Sequence, residues 1–240
     1  MIDRNEPLGS DGVNRRSVLC LPIGMAAAIG LRRFGRDFPR EDDFARFAER
    51  WTKLFDGLNA ESALHEEAYL HELTAALAGV PRRAFPERMK VSYERDGLKS
   101  GPGWAKGSIF IVDVSLGPGA VIPAHNHVGY CNVSLGLEGG CEVRHYEPKD
   151  VAPEAKSGTE TFLVRETKRI WLAPGRVSDL RCDRDNIHAF RAGPEGARLL
   201  DFTTRLENPG RGYQSFSALE VQEEPEDGFY PARWIGNPFK

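Results

Sequence analysis

The sequence predicts a mainly β domain, a barrel or a sandwich, preceded by α-helices. From about Lys106 onward the chain consists of short β-rich segments such as "GSIFIVDVSL", "CEVRHYE" and "ARLLDFTTRL". Gly, Pro and Asp separate these segments at close intervals, and no long helical pattern interrupts them. Many short strands with turn residues between them are typical of barrels and sandwiches.

The composition indicates an ordinary globular protein whose ligand is a small molecule or another protein. The 240 residues are 40% hydrophobic and 28% charged, with a formal net charge of -3. This charge balance excludes the basic footprint of a nucleic-acid-binding protein and a polybasic membrane patch. The four cysteines form no C-x-x-C pair, so we expect small buried residues rather than a thiolate zinc site or a disulfide scaffold.

Residues 1–36 have the features of a targeting leader. Arg15 and Arg16 precede an apolar run over 18–31, which is too short to span a membrane as a helix but has the length of a signal-peptide core. The arginine pair resembles the twin-arginine export signal of bacteria. The positive charges over 32–36 oppose translocation. We expect a periplasmic or exported protein if the leader is used, a cytoplasmic one otherwise, and no stable membrane anchor.

A helical extension is predicted over 37–85. Apolar residues recur at spacings of three and four over 41–57 and again over about 61–78, which is the pattern of amphipathic helices. A β domain then follows over 86–220. The remaining segment, 221–240, is acidic and then aromatic, so it either packs back on the domain or covers a partner.

His125 and His127 in "PAHNHVGY" are the first candidate metal ligands. Residues i and i+2 of a strand project to the same face, so both imidazoles point together if this segment is extended. Inside a small barrel that face is the interior. Two neighbouring imidazoles form half of a metal site, and a third ligand must come from another strand.

His188 in "DNIHAF" is the better candidate for the third ligand. It lies on a β-like stretch after a turn-rich segment, far enough from His127 for an antiparallel strand on the opposite wall. His145 is the weaker candidate, because it alternates with charged neighbours and so could face solvent. His65 and His71 lack the spacing of a helical zinc motif, and we expect them on the surface of the second helix.

The stretch "GPGAVIPAHNH" resembles the first motif of the cupin family, and "NIHAFRA" resembles the second. Gly119 takes the place of the leading glycine, while the acid position falls on Cys131 or Asn132, so the usual glutamate is missing. The stretches "HNHVGY", "DNIHAFRA" and "LLDF", in that order, are similar to the thiol dioxygenase branch that includes plant cysteine oxidases and cysteamine dioxygenase. We expect a bacterial member of this family, and the resemblance covers roughly residues 108–216.

This resemblance implies a cupin fold, a double-stranded β-helix or jelly-roll barrel with N-terminal helices, that holds iron(II) through three histidines. It implies roles for Asp201 near the site, as a hydrogen-bond acceptor for a ligand histidine, and for Tyr213. Two departures concern the substrate. Val128 stands where the family has proline, and "FTTRLENPGRGY" replaces the family's proline-rich loop.

The expected activity is an iron(II)-dependent thiol dioxygenase that converts a thiol and O2 into a sulfinic acid. Three neutral histidines leave the full charge on a divalent metal, which favours a thiolate ligand and explains the missing acid. The expected partners are O2 and either a small aminothiol or a peptide with an N-terminal cysteine. The alternatives are another metal-dependent cupin enzyme, a dioxygenase or isomerase on a carbon substrate, and a non-catalytic ligand-binding cupin.

Overall fold

The computed structural model describes most of the chain after residue 39. The described residues are 40–58, 63–85, 91–127, 129–150, 160–182, 186–206, 217–222, 225 and 227–236. The predicted leader and Tyr213 lie outside them. No helix among the described residues is both long enough and apolar enough to cross a membrane.

Two helices, α1 (Arg40–Asp56) and α2 (Ala63–Ala78), form the N-terminal extension. The two helices bury their apolar sides in the same core cluster as the β domain, as their spacing predicts. Trp51 and Phe202 illustrate this packing, with ring centroids 5.5 Å apart. A short 3₁₀ turn over Arg82–Ala84 follows and leads into the strands. His65 and His71 are exposed on α2, as expected.

Ten antiparallel strands make up the rest of the described chain. They are β1 Tyr93–Arg95, β2 Leu98–Lys106, β3 Ile109–Leu116, β4 Val121–Asn126, β5 Tyr130–Pro148, β6 Phe162–Leu172, β7 Val177–Leu180, β8 Ile187–Arg205, β9 Ala218–Val221 and β10 Tyr230–Gly236. Their order in the sheet is β1-β2-β3-β8-β4-β9-β10-β6-β5-β7, with a further pairing of β8 with β5.

The long strands β5 and β8 divide the sheet into two halves. The first part of β5 pairs with β7 and with the end of β8, whereas its second part pairs with β6 and with the start of β8. The bend between these parts requires glycine. Gly139 has a φ of +58°, and a Cβ at Gly136 would lie 2.3 Å from the carbonyl oxygen of Ala173. Glycine at these positions therefore allows β5 to bend and to pair with strands in both halves of the sheet.

The additional pairing closes a ring of six strands, β4–β9–β10–β6–β5–β8. β10 completes this ring by pairing with β6 and β9, and Trp234 is buried there. The described part of the tail predicted over 221–240 therefore packs back on the domain, which answers a question that the sequence left open.

The observed elements confirm the predicted fold class, mainly β with N-terminal α-helices. The arrangement of a closed antiparallel barrel is consistent with a cupin jelly roll. Three cysteines lie among the described residues, and they are buried and form no disulfide with one another: Cys131, Cys141 and Cys182.

Candidate metal centre

The structure brings together the three histidines that the sequence analysis selected. His125 lies near the end of β4 and His127 directly follows that strand, while His188 is the second residue of β8. β4 and β8 are neighbours in the sheet, and His125 and His188 are directly paired across them. All three side chains are buried. Strand alternation therefore places His125 and His127 together, and strand pairing supplies the third imidazole.

The ring nitrogens of the three histidines converge on one point. The Nε2 atom of His188 lies 2.9 Å from that of His127 and 3.2 Å from that of His125. One ligand atom from each residue lies within 4.8 Å of the others. Two imidazole nitrogens on metal bonds of about 2.1 Å are about 3.0 to 3.4 Å apart, for right-angled to tetrahedral ligation. The spacing therefore fits a trio of ligands to one metal ion.

A backbone carbonyl orients His125. Its Nδ1–H donates a hydrogen bond to the carbonyl oxygen of Pro123 at 2.9 Å, and a carbonyl can only accept. The proton of the neutral ring is thereby placed on Nδ1, and the lone pair on Nε2 faces the other histidines. This is the form of histidine that binds a metal. Nothing in the sequence pattern identified the Pro123 carbonyl in this role.

The environment keeps all three imidazoles neutral. Burial lowers the pKa of His125 to about 4, against the opposing effect of the Pro123 carbonyl. Burial also lowers the pKa of His127 and of His188 well below its usual value, and repulsion from the neighbouring histidines adds to the shift. Desolvation is the main cause for each ring. The cluster is therefore ready to bind a cation without first losing protons at neutral pH.

His145 is not a solvent-facing residue, contrary to the alternative that its charged neighbours suggested. It is buried, is paired with His188 across β5 and β8, and its ring centroid lies 6.0 Å from that of His188. Its Nε2 atom hydrogen bonds with the Ser178 hydroxyl at 2.8 Å, whereas the convergent trio consists of the other three histidines. Arg144 and Tyr146 point to the opposite face of the strand, so His145 points inward.

Asp201 lies on β8, in the other half of the sheet. Its carboxylate accepts a hydrogen bond from the Ser134 hydroxyl at 2.6 Å. Burial raises the pKa of Asp201 to about 6, and the contacts with Ser134 and Asn132 oppose the shift. The Pro123 carbonyl, rather than Asp201, is the acceptor seen for His125. The role of Asp201 in catalysis stays a prediction, as does that of Tyr213.

A line of polar side chains runs from Asp201 toward the histidines. Ser134 is directly paired with Asp201 on one side and with Ser178 on the other, so the three share one face of the sheet. The Ser178 hydroxyl then meets His145, which is paired with His188. Asp201 therefore faces the same interior as the histidine trio. No sequence pattern predicted a role for the two serines, because only the strand pairing aligns them with Asp201 and His145.

No protein-family model and no curated protein sequence matches the chain. The solved structures to which it is similar include KdgF from Halomonas sp., with 16% identity over 51% of this chain and 91% of that chain and a TM-score of 0.37. They also include the cupin domain of Cnp3 from Schizosaccharomyces pombe, with 18% identity over 53% and 77% and a TM-score of 0.37.

An RmlC-like cupin from Shewanella frigidimarina is similar as well, with 18% identity over 52% of this chain and 92% of that chain and a TM-score of 0.35. Similarities of this size carry no argument about activity. The site itself consists of three buried histidines of a mainly β, cupin-like domain that can hold a metal ion.

Proposed function

We propose that the protein is an iron(II)-dependent thiol dioxygenase. The observation that carries the proposal is the composition of the ligand group, three neutral imidazoles and no carboxylate among the described residues. The resemblance of "HNHVGY", "DNIHAFRA" and "LLDF" to thiol dioxygenases supports the same assignment. The substrate would be a small aminothiol or a peptide with an N-terminal cysteine.

The ligand group explains why the substrate would be a thiol. When bound, iron(II) supplies the redox chemistry that O2 requires and a double positive charge that favours a thiolate. Neutral His125, His127 and His188 cancel none of that charge, whereas a protein carboxylate would cancel part of it. Their burial keeps bulk water away from the reacting groups, which strengthens electrostatic attraction inside the site.

The chemistry balances with thiol and O2 as the only reactants. The thiol sulfur loses four electrons, O2 accepts them, and both oxygen atoms form bonds to sulfur, which gives a sulfinic acid. The histidines position the reactants without exchanging protons with them. Holding both reactants together can supply several kcal/mol of the barrier, on the order of the proximity effects known for intramolecular reactions.

Asp201 is suited to recognising the amine of such a substrate. With a pKa of about 6 its carboxylate is mostly ionised at neutral pH, and it faces the interior that contains the histidines. A cationic ammonium group is the natural partner of a partly desolvated carboxylate. An aminothiol or an N-terminal cysteine carries an amine close to its thiol. This role of Asp201 belongs to the proposal.

The test is oxygen uptake by protein loaded with iron(II) under anaerobic conditions. A panel of cysteamine, cysteine, 3-mercaptopropionate and a peptide with an N-terminal cysteine is added in turn. We expect thiol-dependent uptake and a product heavier by two oxygen atoms, with the aminothiols preferred. His188→Ala should abolish turnover, and His71→Ala, a change of an exposed histidine, should not. An iron-replete protein that consumes no O2 with any thiol contradicts the proposal.

A further inference from the structure

A second cavity lies on the opposite face of the strands that carry the histidines. Its volume is about 970 Å³, and its walls come from the strands of the closed six-strand ring. His188 and Arg191 are three positions apart on β8, and strand alternation turns their side chains to opposite faces. Arg191 lines the cavity, as does Arg144 on β5. The cavity is thus separate from the metal centre, with one sheet between the two.

An exposed tryptophan provides a flat surface in this cavity. Trp171 is 54% exposed, and its ring lies over two glycines. A Cβ added at Gly140 would lie 2.7 Å from its Nε1 atom, and one at Gly193 would lie 2.8 Å from its Cη2 atom. Glycine at both positions is therefore what allows the indole to lie flat on the sheet. Such a ring offers its free face for stacking.

Exposed apolar side chains are concentrated at the same place. Four large hydrophobic residues are exposed in the part of the chain that the structure describes. Three of them, Val121, Trp171 and Ile235, line this cavity. Exposed apolar surface in a concave site is typical of a place where a ligand binds.

The charges in the cavity leave one guanidinium available. Three arginines of the lining form ion pairs. These pairs are Arg144 with Glu142 at 2.6 Å, Arg169 with Glu166 at 2.7 Å and Arg233 with Glu220 at 2.5 Å. Arg191 is exposed and makes no ion pair with any described residue.

Arg191 and the tryptophan lie on the two strands that flank β5. Arg191 is directly paired with Glu142, which is directly paired in turn with Trp171. Three neighbouring strands, β8, β5 and β6, therefore place Arg191 and the indole in one row, on either side of Glu142, whose carboxylate is ion-paired with Arg144. A guanidinium binds carboxylates and phosphates with two parallel hydrogen bonds.

We propose that this cavity binds a small organic anion with a flat ring, whose ring stacks on Trp171 and whose acid group pairs with Arg191. The volume falls in the range of small-molecule sites, about 300 to 1,000 Å³. The concave shape of the site, whose walls are strands of the ring, favours a small molecule over a protein partner, which would need a flatter and larger surface. The site is independent of metal binding and of thiol oxidation.

The test is direct binding of 1-naphthoate, a flat aromatic carboxylate, to the full-length protein by titration calorimetry. We expect one saturable site per chain, and much weaker binding of 1-naphthylmethylamine, which has the same ring and a positive charge. Arg191→Gln and Trp171→Ala should each weaken binding of naphthoate about tenfold, the size expected for loss of a charged hydrogen bond or a stacking contact. Arg95→Gln, a change of an exposed arginine on β1, is the matched control and should leave the affinity unchanged.

Gly193→Ala tests the platform without removing any ligand-binding group. Its added methyl displaces the Trp171 ring and should weaken naphthoate binding, while the thermal midpoint and the metal content report whether the fold is intact. Absence of saturable naphthoate binding overturns the proposal, and so does equal binding of the cationic probe or full affinity in Arg191→Gln. A protein that self-associates through this face, and dissociates in Trp171→Ala without binding naphthoate, would show an interface instead.

Discussion

The two faces of the strands β4, β5 and β8 carry opposite kinds of chemistry. The inward face presents His125, His145 and His188, which are buried, and burial strongly lowers the pKa of His125 and His188. The outward face presents Arg144 and Arg191 beside an exposed tryptophan. Because strand residues alternate between faces, neighbouring positions in the sequence belong to different environments. A charged or polar group therefore has a very different free energy on the two faces.

The largest expected effect is the loss of metal from the inward face. His188→Ala removes the nitrogen that lies closest to both other ligands. We expect the affinity for a divalent metal to fall by more than about 100-fold, since even changes beyond the direct ligands cost about 10- to 100-fold. Metal content after dialysis, measured by elemental analysis, checks this. Arg191→Gln, on the outward face of the same strand, should retain its metal, and equal loss from both variants would remove the distinction between the faces.

The next effect is a dependence of stability on pH in the metal-free protein. The pKa of His125 falls from an ordinary value near 6.5 to about 4 on folding. The folded state therefore resists protonation, so this contribution to stability is present above about pH 6.5 and is lost as pH falls toward 4. The shift corresponds to about 3 kcal/mol. His125→Gln should remove this part of the acid destabilisation, measured by urea unfolding from pH 4 to 7.

Asp201 should give a pH dependence of stability with the opposite sign in the same experiment. Burial raises its pKa to about 6, so its contribution to stability is present below about pH 4 and is lost as pH rises through 6. Asp201→Asn should therefore make the metal-free protein more stable relative to wild type at pH 7 than at pH 4, by about 3 kcal/mol at most. Parallel pH profiles for this variant and wild type would contradict the assigned burial of the carboxyl.

A smaller effect is expected from the hydroxyl that meets His145. Ser178→Ala removes the partner of a buried imidazole nitrogen and should cost about 1 to 3 kcal/mol of unfolding free energy. Ser92→Ala, at an exposed serine, is the matched control and should change stability by no more than about 0.5 kcal/mol. A Ser178→Ala variant as stable as its control would mean that His145 has an equally good partner elsewhere.

The smallest effect belongs to the outward ion pairs. Arg169→Ala breaks a two-bond contact with Glu166, at 2.7 and 2.8 Å, on a partly exposed side chain. Exposed pairs contribute about 0 to 1 kcal/mol, so we expect a loss within this range that shrinks in high salt. Urea unfolding at low and high ionic strength measures it. A loss as large as that of Ser178→Ala would show that the two faces do not differ as proposed.

The three histidines could be selected from the sequence because each lies in a local pattern. His125 and His127 have the spacing of one strand face, and His188 follows a turn-rich segment at the start of another strand. The strand of His188 is antiparallel, as predicted, but it is the direct neighbour of β4 rather than a strand on the opposite wall, and His125 is paired with His188 across the two. The helices were predictable for the same reason, since their apolar spacing is local.

Features that depend on pairing between distant strands could not be predicted from the sequence. The charged neighbours of His145 left open whether it is a metal ligand or faces solvent, yet an alternating strand turns Arg144 outward and the histidine inward. Trp171 and Arg191 lie in one row only because each is paired with Glu142 on β5, and no local sequence pattern predicts these pairings. The Pro123 carbonyl is a backbone group, which no side-chain pattern reveals.

The most direct test of the account is X-ray absorption at the iron edge of protein loaded with iron(II) without oxygen, before and after a thiol is added. We predict scattering from three imidazole rings, which is reduced in His188→Ala, and a new sulfur neighbour once the thiol is present. Iron bound by fewer imidazoles in the wild-type protein, or a spectrum that His188→Ala leaves unchanged, would contradict the assignment of His125, His127 and His188 as the metal ligands.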